Sequence, residues 1–209
     1  MGVQKKKLRD AKRKRQQEAS YRRHIPAANN VAVKQFTPKA PAHADLPNTN
    51  VHVFVDDQNI FWGIINKHSD YSYRIDFGKL LMAASDPDRF VEKAYIAGVI
   101  PDDDSFWKIA ENKGFEVRRG YLGTDHRSKQ DDAYLVMEIT KTVCESSQPS
   151  TIVLIAGDAD YVPPLQLAVE KGWRVEIIHV SSNNISSSLE PVCHKYREIP
   201  PVTIKFIEI

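Results

Sequence analysis

Only two cysteines, Cys144 and Cys193, occur in the 209 residues, and neither sits at a spacing that ligates zinc or builds a disulfide framework. They are expected as ordinary core or surface thiols in a reducing compartment. No apolar run approaches the roughly 20 residues that a membrane helix needs, so a soluble protein is expected. No apolar segment follows the basic first residues, which argues against a secretory signal. Lys6 stands where a myristoylation signal beginning at Gly2 requires Ser or Thr, which argues against that lipid. Glycine is scarce, at nine residues, and no G-x-G-x-x-G follows the first apolar stretch, which excludes the usual dinucleotide fingerprint.

Net charge also looks scarce, at +2, but the total hides a division. Residues 1–50 carry 12 Lys and Arg against three acids, whereas residues 51–209 carry 17 bases against 24 acids. The first segment, which includes "KKKLRDAKRKRQQEASYRR" and then a Pro-, Ala- and Asn-rich stretch, has no apolar face to fold on and is expected to be a disordered arm. Such an arm could hold phosphates by counterion release, act as a nuclear import signal in a eukaryote, or simply keep the chain in solution. Otherwise a cytoplasmic location is expected.

Residues 51–209 are long enough for one domain with a real core, given 42% apolar composition overall. Strand-like runs at 51–55, 90–99, 115–122, 151–156 and 174–180 alternate with helical patterns at 77–85, 104–114, 131–146 and 161–172. Gly114 and Gly172 suit left-handed helix ends. This alternation predicts a three-layer α/β/α domain around a mostly parallel sheet, with "TIKFIEI" (203–209) as a last strand.

In such a sheet, ligands sit beyond the strand C-termini where the strand order reverses. Two of the most apolar strands end in acid: "VFVDDQN" gives Asp56, Asp57 and Asn59, and "LIAGDAD" gives Asp158 and Asp160. The helix opening at "KQDDAYLVMEI" adds a third contributor. Extending its stripe of Leu135, Val136, Ile139 and Val143 backwards puts Asp132 on the sheet side and leaves Asp131 as an N-cap. Asp160 could also be only a cap, and Asp57 only solvated. Three or four inward carboxylates without bases would raise one another's pKa, so a hard divalent ion, Mg²⁺ or Mn²⁺, is the expected partner.

These three segments resemble the NYN domain family, the branch of PIN-like nucleases that includes the LabA-like proteins. The family shows a strand followed by D-x-x-N, a Lys and then an Asp opening a helix, and G-D-x-D-[FY] leading into a helix, Gly and a strand. The resemblance implies metal-dependent hydrolysis of RNA phosphodiesters, with the acidic site on Asp56, Asp132, Asp158 and Asp160, and Asn59 as its polar orienter. Asp56 and Asp158 are expected as principal ligands, with Asp132 and Asp160 acting through water or at a second ion. Ala156, Ala159 and Asp57 depart from the family's usual small hydroxyl residues and Gly.

RNA contacts are expected from Arg118, Arg119, His126, Arg127 and Lys129, near Asp132 in sequence; RNA is the expected partner, and the sequence leaves a homo-oligomer open. Phe61 and Trp62 could stack a base, but fit the first helix's core more simply. His52 and His179 read as core residues. The alternative to an enzyme is a weakly active or inactive NYN-type module that binds RNA or a protein. A phosphoacceptor receiver domain fits less well, because "GYLGTD" offers no convincing acceptor and "HVSSNN" has no Lys.

Overall fold

The computed structural model describes residues 36–40, 50–68, 73–99, 104–123, 128–180 and 185–205. Among them, one sheet is built from β1 (Asn50–Asp56), β2 (Phe90–Val99), β3 (Glu116–Leu122), β4 (Ser128–Lys129), β5 (Thr151–Ile155), β6 (Arg174–His179) and β7 (Lys195–Glu198). The order is β4-β3-β2-β1-β5-β6-β7, parallel throughout except for the short edge strand β4. The helices are α1 (Asp57–His68), α2 (Phe77–Ser85), α3 (Ser105–Asn112), α4 (Asp131–Glu145) and α5 (Val162–Glu170).

Strand alternation divides the core into two layers. Val51, Val53 and Val55 of β1 pack with Ile60, Ile64, Phe77, Leu80 and Trp107, so α1, α2 and α3 cover one face. Phe54 packs on the other face with Leu135, Ile139, Leu165 and Trp173, under α4 and α5. The expected three-layer α/β/α architecture is therefore present, in the PIN-like form. Asp76 caps α2 by accepting from the Lys79 amide at 3.1 Å. Gly114 and Gly172 end their helices at φ 92° and 83°, a region where a side chain would be strained.

From β1 the chain moves outward through β2 and β3, then returns to β5 on the opposite side of β1. The strand order thus reverses between β1 and β5, and both strands point their C-terminal ends at the same crevice. The acids at the ends of the first and fourth parallel strands become neighbours because of this topology.

Two strand expectations change. β7 was not evident in the sequence: "KYRE" is short and charged, and it pairs in parallel with β6 as an edge strand. The described part of the expected final strand is instead a 3-10 turn, Pro201–Ile204, followed by an isolated bridge from Lys205 to Ile75. The two prolines before it supply no amide for a ladder.

Phe36–Ala40, on the arm side of the compositional boundary, bond to the body. The Lys39 and Ala40 amides donate to the Glu190 and Cys193 carbonyls at 2.9 and 3.1 Å, and the Phe36 ring lies 4.7 Å from that of Tyr196. Asn50 opens β1, and residues 1–35 and 41–49 of the arm lie outside the described residues. Cys144 is exposed and Cys193 buried, and burial pushes the Cys193 thiol up to about 12, as suits ordinary thiols. No helix among the described residues is long and apolar enough to cross a membrane.

Candidate functional site

Asp56 is the last residue of β1 and the next side chain after Phe54 on the α4 and α5 face, which buries it to 3% exposure. Its Oδ1 accepts from the Asn59 amide at 2.9 Å. Its Oδ2 accepts from the Tyr161 hydroxyl at 2.8 Å. That same hydroxyl lies 3.1 Å from Asp132 Oδ1. One hydroxyl proton therefore faces two carboxylates, one from a strand end and one from the first turn of α4.

Asn59 performs a second task. Its side-chain carbonyl accepts from the Gly157 amide at 3.1 Å, joining the first turn of α1 to the loop after β5. On that loop, Asp158 Oδ1 accepts from the Asp160 amide at 3.1 Å and so caps the 3-10 turn Ala159–Tyr161. Asp158 and Asp160 are exposed, at the rim, whereas Tyr161 is fully buried. The loop is held from behind by the Ser186 amide, which donates to the Gly157 carbonyl at 2.7 Å.

The helix opening at Asp131 differs from the expectation of a cap beside an inward acid. Gln130, at φ 72°, takes the N-cap position without a side-chain cap bond. Asp131 turns in and is 2% exposed, while Asp132 is half-buried. Both Asp131 oxygens lack any hydrogen-bond partner. The left-handed residue before the helix sets the direction of its first turn, which backward extension of the apolar stripe could not register. Asp57 likewise is buried rather than solvated, at 8% exposure.

Electrostatics follow from this packing. Burial, opposed by the Asn59 amide and reinforced by Asp132, pushes Asp56 up to about 7. Burial and then Asp131 push Asp57 up to about 7. Burial and Asp131 raise Asp132, against the Tyr161 hydrogen bond. Tyr161 is raised by burial and by Asp56, so its hydroxyl keeps its proton at neutral pH.

Other buried acids in the same sheet are treated differently. Glu176, fully buried in β6, accepts from Arg89 at 3.0 and 3.1 Å and from Arg174 at 2.9 Å. Glu138 on α4 pairs with Lys93. The acids of the crevice have no such base among the described residues, and an all-oxygen donor set of this kind suits a hard cation. Among the described residues, no three acids, His or Cys are gathered closely enough to enclose an ion alone. Waters would complete the shell, as Mg²⁺ generally requires.

The basic residues divide. Arg118 is exposed and shares its row with Asp56 through Ala97, since Asp56 registers with Ala97 and Ala97 with Arg118. At the usual strand spacing that places the two Cα atoms about 10 Å apart. Arg119 faces the other way and pairs with Asp104 at 2.5 Å. Lys129 is in β4 beside Tyr121. His126 and Arg127 lie outside the described residues. Phe61 and Trp62 are half-buried and meet edge to face at 5.5 Å, while Ile60 and Ile64 carry the helix into the core. His52 is buried and its pKa lowered by burial, which keeps it neutral.

Sequence reasoning missed Asp131, Asp57 and Tyr161 as members of the crevice. Tyr161 had a visible signal, an aromatic with a polar tip directly after two acids.

A solved structure of a protein of unknown function from Vibrio parahaemolyticus is similar to this chain in fold. Their identity is 15%, the alignment covers 78% of this chain and all of that one, and the TM-score is 0.60. No curated protein matches. The NYN domain profile matches residues 50–200, across the sheet and every acid of the crevice. With its nuclease-type fold, the chain belongs to the NYN domain family.

Proposed function

We propose that the protein is a divalent-metal-dependent ribonuclease that hydrolyses RNA phosphodiester bonds in the crevice between β1 and β5. One observation carries this: Asp56 and Asp132, 76 positions apart in sequence, converge on the Tyr161 hydroxyl at the strand-order reversal, with no base among the described residues to neutralise them. Asp56 and Asp132 would hold the ion, and Asp158 and Asp160, on the exposed rim, would orient water around it. Bound there, Mg²⁺ or Mn²⁺ supplies charge for the phosphoryl oxygens and a more acidic water.

The chain's own residues supply position. Asn59 holds Asp56 and the Gly157 loop in one arrangement. Tyr161 keeps the two carboxylates oriented toward each other. Arg118 would take a flanking phosphate, with further contacts from His126, Arg127 and Lys129, which precede α4 in the sequence, and from Arg119 once released from Asp104. The basic segment 1–50 would add long-range attraction for a polyanion to an otherwise acidic body.

The test is cleavage of end-labelled single-stranded RNA with Mn²⁺ against EDTA, in wild type, Asp56→Asn and Asp158→Asn. Metal-dependent cleavage that falls by roughly 10²-fold or more in Asp56→Asn is expected. RNA retention without cleavage by the wild type at any Mn²⁺ concentration would replace the enzyme with a binding module. Undiminished cleavage by Asp56→Asn would move the chemistry elsewhere.

A further inference from the structure

Glu190 is a buried acid, 5% exposed, that is met by a base from the arm. Lys39 Nζ pairs with its Oε2 at 2.6 Å, and the Thr37 amide donates to its Oε1 at 3.5 Å. The buried acids Glu176 and Glu138 take their bases from the body, from Arg89 and Lys93. At Lys39 the arm thus supplies a charge that the interior of the body uses.

Glu190 belongs to a 3-10 segment, Ser187–Val192, that is six residues long. Such segments seldom pass three or four residues because their hydrogen bonds are poorly aligned, and Pro191 contributes no amide to this one. It is held from both ends instead. At the C-terminal end the Lys39 and Ala40 amides donate to the Glu190 and Cys193 carbonyls, and Phe36 lies against Tyr196. At the N-terminal end the Ser186 hydroxyl accepts from the Ser188 amide at 3.3 Å, while the Ser186 amide donates to the Gly157 carbonyl at 2.7 Å. Leu189 and Val192 sink into the core layer that contains Tyr161. Contacts therefore run from Lys39 through the 3-10 segment to Gly157, and through Asn59 to Asp56.

We propose that Phe36–Ala40 is a clasp and Lys39 a positioning residue, which through the 3-10 segment fixes the Gly157 loop and its acids Asp158 and Asp160. The inference rests on the ribonuclease function proposed above. It divides the arm between two tasks: the other bases would draw RNA to an acidic body, whereas Lys39 is engaged with Glu190 and acts on the geometry of the site. A Lys39 that only attracted RNA would set affinity; a positioning Lys39 sets turnover.

Lys39→Ala is the test in the full chain, because the Lys39 side chain is exposed and its loss leaves the core intact. Amide hydrogen exchange of isotope-labelled protein is read by nuclear magnetic resonance. Exchange at Gly157 and Ser186 is expected to quicken on the order of fivefold, with Val153 in β5 unchanged and Lys39→Arg restoring the wild-type rates. On RNA with Mn²⁺, kcat is expected to fall while KM stays within about twofold. Unchanged exchange at both amides overturns the clasp. So does quickening that reaches Val153 equally, which is a general loss of stability. A higher KM at constant kcat makes Lys39 an RNA contact and overturns its positioning role. A wild type that cleaves no RNA removes the ribonuclease alone, and quickened Gly157 and Ser186 amides still support the clasp.

Discussion

The Gly157 amide donates to the Asn59 side-chain carbonyl at 3.1 Å, fastening the end of β5 to the first turn of α1 across 98 positions of sequence. Because the Asn59 amide also donates to Asp56 Oδ1, one residue sets the positions of both strand ends that face the crevice. Asn59→Ala leaves the buried Gly157 amide without an acceptor and is expected to cost about 1–3 kcal/mol of stability. Urea unfolding of the two proteins measures it, and a loss within error of zero would mean that water replaces the side chain.

Tyr161→Phe removes the hydroxyl between Asp56 and Asp132 and nothing else. Hydrogen bonds to charged groups contribute about 1.5–3 kcal/mol, so the variant is expected to unfold at lower temperature in EDTA. Mn²⁺ should narrow the gap, since an ion bound as proposed would take over the same two oxygens. Thermal unfolding with and without Mn²⁺ checks both halves, and an equal gap in the two conditions would separate the hydroxyl from the cation position.

Asp57 carries a folded pKa of about 7 against an ordinary 3.8. The native state therefore keeps a proton that the unfolded state releases, and stability falls as pH rises from about 4 to about 7. Asp57→Asn removes this penalty. In EDTA the variant is expected to match the wild type below about pH 4 and to exceed it above about pH 7, by on the order of 2–4 kcal/mol. Urea midpoints measured across that range provide the check, and parallel pH profiles would contradict it.

Gly98→Ala drives a methyl group into Asp57 and Trp107, at contacts of 2.8 and 2.7 Å. Neither neighbour is the free end of a flexible chain, so relaxation must displace the start of α1 or α3. Overpacking of this kind is expected to cost about 1–3 kcal/mol. Urea unfolding of the variant against the wild type measures it, and an unchanged midpoint would mean that the wall beside Asp57 yields without cost.

Much of the fold was legible because burial imposes simple periods. A strand covered on both sides is apolar along its length, as "TIVLI" is, and a helix over a sheet repeats its apolar positions, as Leu135, Ile139 and Val143 do. β7 escaped because an edge strand needs few apolar residues. Asp132 faces the crevice as expected, but Asp131 is buried beside it and does not cap, because a left-handed Gln130 determines how α4 starts. Asp158, expected to point inward, is exposed and caps a 3-10 turn that no helical period describes.

The sequence alone determined that acids would stand at the ends of apolar strands and at the head of a helix, since chain-local patterns fix where strands stop and helices begin. Tertiary structure decided which acids are buried and what they meet. The placing of β5 against β1, the Tyr161 hydroxyl between Asp56 and Asp132, and the missing side chain at Gly98 all join residues far apart in the chain. Burial and charge compensation are set by those distant neighbours, and local periodicity carries no record of them.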